Sequence, residues 1–485
     1  MGTLNSIEKE GLYRRSIAFD GMAYLFTIFI VGFLPAFKWL QLFPLVEFRQ
    51  KIFRDNGFAW LMENWTLRGA NMFSTAEYFD NWVGKTCSTS IPCLNALPLL
   101  IHLSTATALF VFAKRVFGRR LIASIVTGLW VTSVPYLQTL AWQALDLDKI
   151  AALTTTAGAM VGIHFFRAQY NKRNVILSNF LLFILVLAGY NAKPSAWVLV
   201  PGLWLLPITG NGLGLKNWSK YLIAPTLYGL THNFRWYRLV QADDFYRNHT
   251  SSGDPLANVS KFIGYLHGSS IPTTSSQLCF LVVIGALLLG ATLKRPISRF
   301  GIWCLLMVIG GIVISCRTQY GSPFYMLVSQ VFYSLAVGAV LMEVLVAIKK
   351  YKWKGLSTLC ICFVAVVLVF LPGIRTSYTS YNSVLNQSDN FRNSFETIDN
   401  AFEDPVTHQL KLVFVIEEIM DYVFIDGGMV QPFMPSGFPI NDSKTSWELR
   451  SDFDASSRAA DTVYVLFDNN MNLEKIVKPS TSTSP

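Results

Sequence analysis

Several ionisable residues of this chain fall singly, at short intervals, between long apolar runs. Asp55 and Glu63 are spaced about two helical turns apart, among Phe53, Phe58, Trp60, Leu61 and Trp65, in a segment that reads as an interfacial helix. Glu77 and Asp80 follow in the same loop, and Asp146, Asp148 and Lys149 mark a later turn. Lys193, Arg235, Arg317 and Tyr320 each sit at the edge of an apolar run. A Lys and Arg such as Lys193 and Arg317 suit a phosphate, Arg through paired hydrogen bonds and Lys as a point charge. A carboxylate facing them suits removal of a proton from a hydroxyl nucleophile. Together they describe transfer of a sugar from a lipid-linked phosphosugar to a hydroxyl, with no nucleotide required. Blander readings stand beside this one. A loop carboxylate, the Asp243-Asp244 pair included, can be a solvated charge, Lys193 and Arg317 can snorkel, and Asp146 or Asp148 can pair with Lys149.

Other chemistries lack their parts. The six histidines form no HxxxH or HExxH, no CxxC is present, and there is neither a Walker loop nor a Gly-x-Ser-x-Gly elbow. Gly210 to Gly214 (GNGLG) follows no strand and reads as a turn. No cofactor is called for, with a divalent metal left open.

The elements that must position these residues are membrane spans. The chain is 52% hydrophobic and 14% charged over 485 residues, with a mean hydropathy of +0.38, against roughly 25% charged in soluble domains. Its apolar runs have the length needed to cross hydrocarbon. About eleven are expected: Ser16–Leu40, Leu94–Ala113, Leu121–Leu140, Ile150–Arg167, Val175–Tyr190, Ala196–Ile208, Tyr221–Trp236, Gln277–Leu293, Ile302–Cys316, Met326–Ile348 and Leu356–Leu371. The first is long and has no small-residue cleavage site, so it reads as a retained span. The net charge of +10 lies largely in short tracts, among them Arg14-Arg15, Lys114-Arg115 with Arg119-Arg120, Lys172-Arg173, Lys294-Arg295 and Lys349 to Lys354. Such tracts hold loops on the cytoplasmic side and face anionic lipid, not nucleic acid.

The expected fold is therefore an all-α polytopic membrane domain over 1–372, with large outward loops at about 41–93 and 237–276. An α+β domain follows over 373–485, also outward, in which LKLVFV and TVYVLF read as strands and Asn382 to Phe402 as an amphipathic helix. Of seven cysteines, Cys87 and Cys93 bracket CSTSIPC. They are placed for a small-loop disulfide if the loop faces an oxidising compartment, and are two free thiols otherwise.

Three stretches carry a resemblance. NALPLLIHLSTATALFVFAKRVFGRRLIASIVTGLWVTSVPYLQTLAWQALDLDKIAALTTTAGAMVGIHFFRA resembles the second to fourth spans of GT-C-fold glycosyltransferases. LLFILVLAGYNAKPSAWVLVPGLWLLP is similar to a segment of that family with a Ser-Lys-Glu or Ser-Lys-Pro turn, and RTQYGSPFYMLVSQVFYSLAVGAVL to one opening on Arg-Tyr-x-Tyr, here offset by inserted residues. The resemblance covers the membrane domain. Within the superfamily it is nearest to bacterial and phage-encoded O-antigen glucosyltransferases of serotype conversion.

That resemblance implies an inner-membrane enzyme with a cytoplasmic N-terminus and a periplasmic C-terminal domain. It implies transfer of glucose from undecaprenyl-phosphate glucose to O-antigen of lipopolysaccharide. Asp55 would be the base, and Lys193 and Arg317 the donor-phosphate contacts. Arg235, Tyr320, Asp146 and Asp148 join them as substrate-binding candidates, with Glu63, Glu77 and Asp80 on the acceptor side. Where the family carries two acidic residues, this chain has Asp55-Asn56. Competing expectations are an O-antigen polymerase or ligase, and a lipid-linked oligosaccharide flippase or transporter; the latter class commonly shows internal repeats, and this sequence shows none.

Overall fold

A computed structural model describes residues 91–141, 146–167, 171–209, 218–242, 254–267, 274–316, 323–350, 411–416, 445–450, 461–468 and 472–477, with single positions between 375 and 397 and Phe453. The described chain is mostly helical with one small sheet, and separates into a helical unit and a second unit that includes the C-terminal sheet. The expected spans Ser16–Leu40 and Leu356–Leu371 lie outside the described residues.

The helices are α1 (Ile91–Phe117), α2 (Arg120–Val131), α3 (Val134–Ala141), α4 (Asp146–Arg167), α5 (Lys172–Ala192), α6 (Leu199–Thr209), α7 (Ile223–Ala242), α8 (Pro255–Leu266), α9 (Thr274–Thr292), α10 (Pro296–Ser315) and α11 (Leu327–Lys350). Single 3-10 turns at Pro194–Val198, Trp218–Leu222 and Pro323–Met326 lead into α6, α7 and α11. Among the described residues five helical stretches are long and apolar enough to cross a membrane: Leu99–Phe117, Leu147–Phe166, Lys172–Ala192, Pro296–Ser315 and Pro323–Val346. Their outward faces agree. Ile176, Phe180 and Ile184 on α5 form an exposed stripe, as do Leu306, Ile309 and Val313 on α10. Water would penalise such stripes, and hydrocarbon does not. By contrast α11 is buried nearly all round, the mark of a helix at the centre of a bundle.

Small residues let these helices approach closely. Gly158 and Gly162 of α4 accept Leu199 and Leu203 of α6, and a Cβ at either glycine would meet the leucine Cδ2 at 2.5 Å. Gly290 of α9 likewise faces Ser298 of α10.

One expected span and one expected loop differ in shape. The run Leu121–Leu140 is two helices broken at Thr132 and Ser133, with Pro135 in the first turn of the second, where its missing N–H costs no helix bond. Ser133 caps the second piece, its Oγ accepting from Tyr136 N–H at 3.3 Å. The expected loop 237–276 contains α8, whose N-cap Asp254 accepts from the backbone N–H groups of Leu256 and Ala257. Asn258, Phe262, Tyr265 and Leu266 form its buried face.

Contacts between helix ends define two ends of the bundle. At one, Arg295 before α10 pairs with Glu343 late in α11 (2.6 Å), and Ser298 Oγ donates to the same carboxylate at 2.8 Å. Asn179 near the start of α5 receives Ala224 N–H from the start of α7 at 2.9 Å. At the other end, the start of α4, the end of α5 and the turn before α11 meet around Lys193.

In the C-terminal unit four strands, β1 (Lys411–Ile416), β2 (Thr445–Leu449), β3 (Thr462–Phe467) and β4 (Leu473–Val477), form a sheet in the order β2-β1-β3-β4. β1 is parallel to β2 and β3, and β3 is antiparallel to β4. The two strands expected from LKLVFV and TVYVLF are thus its central pair. Arg450 ties the edge, donating to Phe467 O at 3.2 Å and pairing with Glu474. Ser394, in the segment expected to be helical, is helical and accepts from Leu473 N–H at 2.7 Å.

Candidate functional site

Lys193 lies between α5 and the Pro194–Val198 turn, where its extended backbone (φ −157°, ψ 144°) ends one helix and admits a proline at the next position. Its Nζ is 3.1 Å from Asp148 Oδ2. The Asp148 side chain is 1% exposed and that of Lys193 17%. The same ammonium lies 5.4 Å from the centre of the Phe324 ring and 5.7 Å from that of Tyr325, within reach of a cation–π attraction. Three elements thus fix one cation: α4 through Asp148, the α5 terminus, and the Pro323–Met326 turn.

Asp148 does not sit on a turn. The helix starts at Asp146, so Asp146, Asp148 and Lys149 all belong to the first turn of α4, where the helix dipole favours carboxylates. Lys149 is fully buried and interacts electrostatically with His102 of α1. The His102 ring packs 4.7 Å from Tyr136 and 6.0 Å from Trp130. Trp130 in turn directs its Nε1 at Leu327 O, 3.5 Å away, closing the group onto α11. His102 and its aromatic neighbours had no sequence signal beyond one histidine in an apolar run.

Beside Lys193 the chain builds a second cluster, of rings. Tyr190 Oη donates to Trp197 O at 3.0 Å, and Trp197 Nε1 donates to Tyr190 O at 3.2 Å. His232 of α7 stands 5.8 Å from Tyr190, 5.7 Å from Trp197 and 5.8 Å from Tyr228. Trp236 follows at 5.7 Å from Trp197. Arg235 is on the same helix, exposed and within electrostatic reach of His232 and Tyr228.

A third group ties α8 down. Asn258 Nδ2 donates to Cys316 O at 2.9 Å, and His267, just past the helix, shares a 2.8 Å hydrogen bond between its Nε2 and Tyr333 Oη of α11. Burial lowers the His267 pKa to about 4.

Of the residues singled out in the sequence, Lys193 and Asp148 are brought together, and Arg235 is on the neighbouring α7. Asp55, Glu63, Glu77, Asp80, Cys87, Arg317 and Tyr320 lie outside the described residues, as does any Cys87–Cys93 pairing; Cys93 is in the first turn of α1. Among the described residues no group of three or more His, Cys, Asp or Glu could hold a metal ion. No protein-family model matches the chain, and no curated protein matches it.

Proposed function

We propose that the chain is a polytopic membrane glycosyltransferase that moves a sugar, glucose by resemblance, from a polyprenyl phosphate to a hydroxyl of O-antigen on the outer face of a bacterial inner membrane. The observation that carries the reading is the Lys193–Asp148 pair. A lysine held at the end of an apolar bundle by a buried carboxylate and two aromatic rings is costly to build as mere packing, and ionisable groups in such places are functional by default. The end it occupies is opposite the basic tracts at Lys114-Arg115, Lys172-Arg173 and Lys294-Arg295. Those tracts belong in the cytoplasm, so Lys193 faces out, where a lipid-linked donor presents its phosphate with the tail still in hydrocarbon.

In this reading Lys193 neutralises the donor phosphate as the glycosidic bond to it breaks, and Asp148 and the Phe324 and Tyr325 rings keep the ammonium in place. Arg317, a short way before those rings in the chain, would supply the second cation, and Asp55 the base that takes the acceptor hydroxyl's proton. With the eleven spans expected from the sequence, the C-terminal module would also be exported. The test is incubation of purified protein with a panel of polyprenyl-phosphate sugars and O-antigen acceptor, measuring released polyprenyl phosphate. Asp55→Asn is expected to lower release by about 10²–10⁴-fold with the protein still inserted. Absence of turnover with every donor, together with movement of lipid-linked glycan across liposomes, would point to a flippase instead.

A further inference from the structure

We infer that the rings around His232 form the part of the donor site that holds the sugar. The inference rests on the reading of Lys193 as the phosphate contact and adds to it a place and a chemical class of contact for the transferred residue. Level is the first argument. Asn191 Nδ2 reaches Tyr228 Oη, and the Tyr190 ring meets His232, so α7 draws level with the end of α5 near His232. It then continues to Ala242 for about 15 Å at 1.5 Å per residue. Asn233, Phe234, Arg235, Tyr237 and Arg238 on that continuation are exposed. The rings therefore lie at the height of the Lys193 turn.

Fixity is the second argument. The reciprocal Tyr190 and Trp197 hydrogen bonds hold both rings before any ligand arrives, and His232 is set against three of the rings. A row of interfacial aromatics that only anchors a helix in lipid needs no such bonding. The third is an acceptor without a partner. Asn191 is 5% exposed and its Oδ1 has no hydrogen bond, although its amide nitrogen is engaged. Buried polar atoms of this kind find partners in nearly all proteins, and a hydroxyl-bearing ligand brings donors. A hexose offers flat C–H faces to aromatic rings and a rim of hydroxyls to an amide and an imidazole. A bare phosphate or an acyl chain offers no such combination. The class of ligand is thus a pyranose still attached to its lipid phosphate.

Binding to the full-length protein in detergent separates the possibilities, using undecaprenyl-phosphate glucose and undecaprenyl phosphate as the two probes. The wild type is expected to bind the sugar-bearing lipid more tightly. Trp236→Ala and His232→Ala should each weaken that probe by about tenfold while leaving the sugarless lipid within about twofold. Trp236→Phe and His232→Gln should recover part of the loss. Variants that bind both lipids as the wild type does overturn the sugar subsite and leave the Lys193 reading standing. Equal loss of both lipids, with a lower melting midpoint, reduces the rings to an interfacial anchor and also overturns it. A wild type that binds neither lipid removes the donor reading itself.

Discussion

At the scale of single residues, the Lys193–Asp148 pair has consequences for stability as well as chemistry. Two charges removed from water lose several kcal/mol of solvation each, and removing one partner leaves the other uncompensated at a cost of about 3–5 kcal/mol. Lys193 keeps some contact with solvent, so the lower part of that range applies. Asp148→Ala and Lys193→Ala should each destabilise the protein by about 3 kcal/mol, and the double variant by less than the sum. The expected coupling is about 2 kcal/mol, read from melting or denaturant curves of the four proteins; additive losses would mean that the two groups act independently. The sequence puts Asp146 and Asp148 close to Lys149, and pairing of either with it is one of the blander readings. Successive residues on a helix point about 100° apart, so adjacent side chains do not face each other. Once α4 begins at Asp146, Asp148 is free to turn toward α5 while Lys149 turns toward α1 and His102. No single-sequence pattern carries that choice, because the partner of Asp148 is set by helix packing.

At the scale of elements, α8 is the piece whose attachment depends most on protonation. It is held by Asn258 to the end of α10 and by His267 to Tyr333 of α11. Burial of His267 favours its neutral form and lowers its pKa from about 6.5 to about 4. The unfolded or undocked chain therefore binds a proton at a pH where the docked form does not. Stability is full above about 6.5, falls as pH drops through the window from 6.5 to about 4, and levels off below it. The shift corresponds to about 2–3 kcal/mol once the partial exposure of the ring is allowed for. Hydrogen exchange of the α8 amides at pH 7 and 4.5 should show that loss of protection, and His267→Gln should flatten it; an equal pH dependence in the variant would assign the effect elsewhere. This helix was not visible in the sequence as a separate element. PLANVSKFIGYL has its buried positions at 258, 262, 264, 265 and 266, but it lies inside a long polar stretch with Gly, Ser and Thr on both sides. The spans were easier to read, since about twenty apolar residues in a row have few alternatives. Their ends were not, because an end is decided by one cap or one proline, as at Ser133 and Pro135.

At the scale of the whole molecule, sidedness follows from where the charges fall along alternating helices. Those starting or ending near Lys114, Arg119, Lys172, Lys294 and Arg295 share one end, and α11 runs back toward it, closing on Lys349 and Lys350. Lysine and arginine in short loops bias orientation, and the reading proposed above takes that end as cytoplasmic. Asp254, exposed ahead of α8, then faces out. The C-terminal module depends on one more crossing: on that reading α11 ends inside, and β4 is outside only if the apolar run Leu356–Leu371 spans the membrane. Single cysteines in a background cleared of the native seven decide both points. Asp254→Cys should react with a membrane-impermeant maleimide added to intact spheroplasts, and Lys172→Cys only after the membrane is opened. Lys475→Cys, on the exposed edge strand β4, should label together with Asp254→Cys. Labelling of Lys475→Cys together with Lys172→Cys would make Leu356–Leu371 a segment that does not cross, and would place the sheet in the cytoplasm, away from any polysaccharide acceptor.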